Sequence, residues 1–152
     1  MYYEEIYSLD PIPEHLIDDL ETIRSRRNMF AYPEHEHIYA SYLVSDELHE
    51  FVQQQFSYPV LVRYQVIGKK LPVHLDIGVE EKYNYIIYQG GDLVMTRWWD
   101  SEHNPTNIIY ETHIPQLVWH KMKVDVPHDI TEPDSPRISI QVKAKPEEHV
   151  GL

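Results

Sequence analysis

The hydrophobic pattern of this chain changes period at Ser57-Tyr58-Pro59, and that change fixes the kind of fold it can form. Upstream, apolar residues recur at helical spacing. Leu16, Leu20 and Ile23, with Ile17 beside them, lay one stripe on a segment opened by Asp10-Pro11 and Pro13. Leu48, Phe51, Val52 and Phe56 lay a second after Ser45, a good N-cap, and Pro59 ends it because the residue before a proline is pushed out of the helical region. Two amphipathic helices are predicted, with Asn28 to His37 as a loop between them.

Downstream, the runs Val60 to Ile67, Tyr83 to Tyr88, Leu93 to Trp99, Ile108 to Thr112, Leu117 to Val124 and Arg137 to Ala144 are strand-sized and rich in β-branched and aromatic residues. Gly, Pro and Asn separate them. Short strands at this spacing make a sandwich or a barrel, and neither a linker nor an internal repeat divides the chain. The expected fold is α+β, mainly β, as one domain over residues 1–152. Its helical part, residues 10–56, packs outside a β-core at residues 59–144, and Lys145 to Leu152 form a polar tail.

Composition narrows the chemistry. The 25 Asp+Glu against 13 Lys+Arg give a formal charge of -12, a field that repels nucleic-acid phosphates and anionic membranes unless basic residues cluster. Arg24, Arg26 and Arg27 are the nearest approach to a cluster. With no cysteine there is neither a disulfide framework nor a thiolate metal site, so any metal must be held by His and carboxylate. The acidic, Tyr-rich start, Met1 to Asp10, lacks the pattern of a signal peptide, and no apolar stretch is long enough to span a bilayer. A cytoplasmic protein with neither nucleic-acid nor membrane partners is expected.

Among the 10 histidines, His74 and His128 stand out. In His74-Leu75-Asp76 the two polar side chains sit at i and i+2, which strand period 2 aims at one face. His128, held by Pro127, comes 54 residues after His74 and so from a different strand or its end. Nine residues further, Arg137 and Ser139 again share a face, opposite Ile138, Ile140 and Val142. Two imidazoles and one carboxylate on one face of a metal leave three positions open, the arrangement non-haem Fe(II) uses to hold a co-substrate and O₂. Taken singly, each motif has a plainer reading: a strand end for His74 and Asp76, a turn for His128, a surface ion pair with Asp134 or Glu132 for Arg137. Their joint order carries the argument.

That order resembles the double-stranded β-helix core of the Fe(II)/2-oxoglutarate-dependent oxygenases, whose pattern is H-x-D, a distant His, then R-x-S or a close variant. The likeness runs from about Tyr64 to Ser139 and includes Gly90-Gly91-Asp92 to Trp98 as the turn and strand after the metal loop. It implies a jelly-roll core with flanking helices, and Fe(II) held by His74, Asp76 and His128. It implies also that 2-oxoglutarate chelates the metal, leaving one position for O₂. The planar, permanently charged fork of Arg137 suits the far carboxylate, with one more bond from Ser139. Tyr64, ten residues before His74, and Asn84 are further co-substrate contacts on the same resemblance. The implied activity is oxidation, most simply hydroxylation, of a protein residue or a small molecule with release of succinate and CO₂.

Two other classes stay open. A cupin-type metal protein shares the β-sandwich, but typically brings an H-x-H pair with Glu and a further His. A non-catalytic domain on the same fold would bind another macromolecule. Glu34-His35-Glu36-His37 invites a metal reading but sits in a loop without further partners. Trp99 or Tyr88 could line a substrate mouth, and the loops Asn28 to His37 and Asp100 to Thr106 could cover it.

Overall fold

The computed structural model describes residues 2–29, 38–76 and 82–145. His35, His37 and the tail beyond residue 145, all singled out above, lie outside the described residues. Among the described residues ten strands form two antiparallel sheets. The six-stranded sheet has the order β1 (Tyr3–Glu5), β8 (Trp119–Met122), β5 (Tyr83–Tyr88), β10 (Arg137–Ala144), β3 (Val60–Ile67), β2 (Tyr39–Leu43). The four-stranded sheet has the order β4 (Leu71–His74), β9 (His128–Ile130), β6 (Thr96–Trp99), β7 (Ile108–Thr112). From β3 to β10 the chain passes back and forth between the sheets, with β6 and β7 the single consecutive pair in one sheet. This winding is the double-stranded β-helix, or jelly roll. No helix among the described residues is long and apolar enough to cross a membrane.

The second helix forms where the spacing predicts but ends at Gln53, before Phe56. α2 (Asp46–Gln53) is capped by the Ser45 side chain, which accepts from the Leu48 amide at 3.1 Å, and it buries Leu48 and Val52. The first is broken. Glu14–Leu16 makes a 3₁₀ turn, Ile17 is extended, and α1 (Leu20–Ser25) starts afresh with Asp19 accepting from the Thr22 amide at 2.8 Å. The break has a cause: the Asp18 amide donates to the Tyr64 hydroxyl at 3.0 Å, so it has no place in a helical ladder.

The main core lies outside the jelly roll. Val60, Val62 and Tyr64 of β3, Ile138, Ile140 and Val142 of β10, Tyr85 of β5 and Trp119 of β8 turn to one face of the six-stranded sheet. There they pack with Ile12, Ile23, Leu48 and Val52 of the helical segment. At roughly 1.5–3 kcal/mol per fully buried large apolar side chain, this face supplies most of the sheet's stabilisation. Between the sheets only a small apolar cluster forms, Ile67, Val94 and Ile130, with Tyr39 and Leu71 against it. The rest of the inward face mixes polar side chains with Ile86, Met122 and Val124.

Candidate metal centre

Strand alternation sets the inward face. In β10 the odd positions Arg137, Ser139 and Gln141 face the four-stranded sheet; Gln65 pairs with Ser139, Asn84 with Gln141, and His120 with Asn84. Gln65, Asn84, His120, Arg137 and Ser139 are each less than 8% exposed. From the opposite sheet, the antiparallel pairing of His74 with His128 brings their ring centroids to 4.4 Å. Asp76 follows β4 directly, its amide tied to the Val124 carbonyl at 3.1 Å. All of these side chains line one cavity.

His74, Asp76 and His128 converge as the motif requires. Their candidate ligand atoms lie within 4.8 Å of one another. In both histidines Nδ1 donates to a backbone carbonyl, His74 to Pro72 at 2.7 Å and His128 to Val126 at 2.8 Å. That fixes the tautomer and leaves each Nε2 lone pair facing Asp76, at 3.6 Å from Oδ1 for His74 and 3.9 Å from Oδ2 for His128. Burial lowers the pKa of His128, so the ring is held in the neutral form that ligates. Lys82 Nζ lies 3.4 Å from Asp76 Oδ2, and burial lowers its pKa against the pull of that carboxylate. The donor set, two imidazoles and a carboxylate with second-sphere carbonyls in place, suits Fe(II) or a similar divalent ion.

Arg137 lies in the same cavity. It is 4% exposed, and burial pulls its pKa down to about 10, which leaves the guanidinium charged at neutral pH. Among the described residues it has no carboxylate or hydrogen-bond partner. The surface pair with Glu132 does not form; Glu132 lies 3.9 Å from Lys69. Gly90 helps to seat the arginine: its carbonyl accepts from the Asp134 and Ser135 amides at 2.7 and 3.0 Å. At its φ of +88° a Cβ would meet Pro133 Cβ and the Ser135 carbonyl, each at 2.6 Å.

Two expected co-substrate contacts differ. Tyr64 points to the helix side, where its hydroxyl meets Asp18 and burial pushes its pKa to about 12; Gln65, the next residue, takes the inward position. An i, i+10 count across two strands joined by a turn does not preserve the face. The Ser139 hydroxyl faces inward but donates to Gln65 Oε1 at 3.2 Å. Trp99 and Tyr88 also lie away from the cavity. Trp99 donates to Asp129 Oδ1 at 2.9 Å beneath the Arg97 guanidinium, and the Tyr88 hydroxyl accepts from Ser135 at 3.0 Å. The Asp100 to Thr106 loop closes on itself through Asp100, which accepts from the Thr106 amide and hydroxyl.

The sequence reading missed four inward residues, Gln65, Lys82, His120 and Gln141. Neither ring nitrogen of His120 has a well-formed hydrogen bond among the described residues, and burial pulls its pKa down to about 4. The missed signal was alternation from the identified positions: Gln141 continues the Arg137, Ser139 series, and Lys82 precedes Asn84 by two.

No family model matches the chain, and no curated protein matches it in sequence. Several solved structures align with the chain at low identity. The chain is 8% identical to oxalate decarboxylase of Bacillus subtilis, covering 83% of this chain and 29% of that one, with a TM-score of 0.46. It is 13% identical to hydroxypropylphosphonic acid epoxidase from S. wedmorenis, over 87% of this chain and 61% of that one, with a TM-score of 0.45. For vicilin from Corylus avellana, hazelnut, the values are 9%, 84%, 36% and 0.48. The chain thus spans less than two thirds of each. The fold assignment rests on the strand order and register given above.

Proposed function

We propose that the chain is an Fe(II)- and 2-oxoglutarate-dependent oxygenase, of hydroxylase type. The observation that carries this reading is Arg137, a buried guanidinium without a partner among the described residues, in the cavity where His74, Asp76 and His128 converge. A buried charge left unpaired is costly, and a carboxylate entering the cavity relieves that cost with two parallel hydrogen bonds. In this reading the His74 and His128 Nε2 atoms and the Asp76 carboxylate hold the metal, and Arg137 fixes the far carboxylate of the co-substrate. Asn84 lines the cavity between them. Bound together, Fe(II) and 2-oxoglutarate supply O₂-dependent decarboxylation to succinate and CO₂ coupled to oxidation of the primary substrate.

The cavity is narrow, about 30 Å³ of space open to a water molecule's centre, so a five-carbon dicarboxylate requires Gln65, Asn84 and Gln141 to repack around it. This narrowness favours one second reading, a cupin-type metal protein that works without 2-oxoglutarate. Calorimetric titration of 2-oxoglutarate into the Fe(II)-loaded protein separates the two. The oxygenase reading expects saturable binding that weakens at least about tenfold in Arg137→Met, with metal affinity unchanged. Equal 2-oxoglutarate affinity in parent and variant, or none in either, would leave the cupin-type reading.

A further inference from the structure

A vestibule of about 370 Å³ adjoins the cavity and shares Asp76, Lys82 and Gln141 with it. The new walls are Arg63 and Lys143, with Tyr39, Ser41 and Leu61. Arg63 pairs across the sheet with Gln141, and Lys143 with Leu61, so both cations extend the inward face of β3 and β10 toward the surface. Three cations, Arg63, Lys82 and Lys143, thus stand against one carboxylate, Asp76, among the described residues here. The chain as a whole carries -12.

Elsewhere in the chain cations sit beside carboxylates, as Arg26 beside Asp18 and Arg97 beside Asp129. Arg63 has none among the described residues. It is partly buried, and its guanidinium hydrogen bond is to the Val62 carbonyl at 3.0 Å. Lys143 likewise has no ion-pair partner among them. A divalent ion on Asp76 makes the local balance more positive still, and walls of low dielectric focus that field outward.

Arg137 lies deeper on the same inward face: four strand positions separate it from the level of Arg63 and six from Lys143, roughly 13 and 20 Å between backbones at about 3.3 Å per residue. The geometry points to a second anion subsite at the mouth, in which Arg63 and Lys143 hold a phosphate, phosphonate or carboxylate group of the primary substrate. This rests on the reading of the inner cavity as the oxidising centre. It makes the substrate anionic, with the group to be oxidised lying inward of its charge.

The test is a ¹H–¹⁵N NMR titration of the full chain with inorganic phosphate and, separately, acetate, following the Arg63 Nε–Hε signal and the β3 and β10 amides. Saturable shifts centred on the vestibule are expected, with the preferred anion naming the group. Affinity should fall at least about tenfold in the double variant Arg63→Gln, Lys143→Gln. It should be retained in Arg63→Lys, Lys143→Arg, which keeps both charges, and in Arg137→Met. Affinity unchanged in the double Gln variant, or shifts confined to Arg137, would overturn the subsite. Because phosphate is titrated without iron or 2-oxoglutarate, a failed oxygenase reading leaves this result standing. Normal 2-oxoglutarate binding in a protein whose phosphate response ignores Arg63 and Lys143 would sink the subsite alone.

Discussion

The two faces of the six-stranded sheet are built from the same strands and obey opposite rules. Outward, Val62, Tyr64, Trp119 and Ile140 are at most 2% exposed and pack against the helical segment. Inward, on alternating residues of the same strands, Gln65, Asn84, His120 and Arg137 are also buried yet polar. The outward face is where folding free energy is gained. The inward face gives some of it up, keeping a charged guanidinium and an imidazole without a well-formed hydrogen bond among the described residues in a narrow space, and such groups persist where a ligand completes them.

The largest expected effect tests that division directly. Trp119→Ala removes a ring packed on Tyr85 at 5.1 Å and should cost about 3–5 kcal/mol in urea unfolding. Arg137→Met, buried on the other face, should be neutral or stabilising, because it replaces a buried charge that has no partner among the described residues with an apolar group. A loss of several kcal/mol in Arg137→Met would break the comparison.

His120 gives the next effect. Its folded pKa of about 4 lies below the unfolded value of 6.5, so the native state binds fewer protons between them. The stability this group contributes is therefore fully present above pH 6.5 and lost as pH falls toward 4, by about 3 kcal/mol at about 1.4 kcal/mol per unit. His120→Leu should flatten the pH dependence of urea stability over that window, and a parallel curve would show that the imidazole does not titrate as a buried neutral base.

Smaller effects sharpen the inward face. Lys82 competes with any cation for Asp76, so Lys82→Met should tighten Fe(II) binding severalfold, about 1 kcal/mol, in a competition assay; weaker binding would make Lys82 a support for the site. Tyr64→Phe loses the hydrogen bonds to Asp18 and should cost about 1 kcal/mol while leaving 2-oxoglutarate affinity unchanged. A drop in that affinity would put Tyr64 back among the co-substrate contacts.

Much of this was legible in the sequence because period-2 alternation is local. His74-x-Asp76 and Arg137-x-Ser139 announce a shared face, and Ile138, Ile140 and Val142 announce the opposite one. The strands β1, β2, β4 and β9 were not found as such: three of them have only three or four residues, too few to establish a period, β2 falls within the segment expected to be helical, and β9 carries His128. The side of Tyr64 depends on how two strands are joined and registered, and the partner of Ser139 is a glutamine 74 positions away. The break at Ile17 follows from a tertiary hydrogen bond to Asp18 that helical spacing cannot reveal.

The most direct test of the central claim is an anaerobic titration of the purified protein with Fe(II) and then 2-oxoglutarate, watching for the visible charge-transfer band of the chelated complex. The band should appear in the parent, vanish with iron binding in Asp76→Ala, and require much more 2-oxoglutarate in Arg137→Met. Iron binding with no band at any 2-oxoglutarate concentration, or a band that survives Asp76→Ala, would contradict the account.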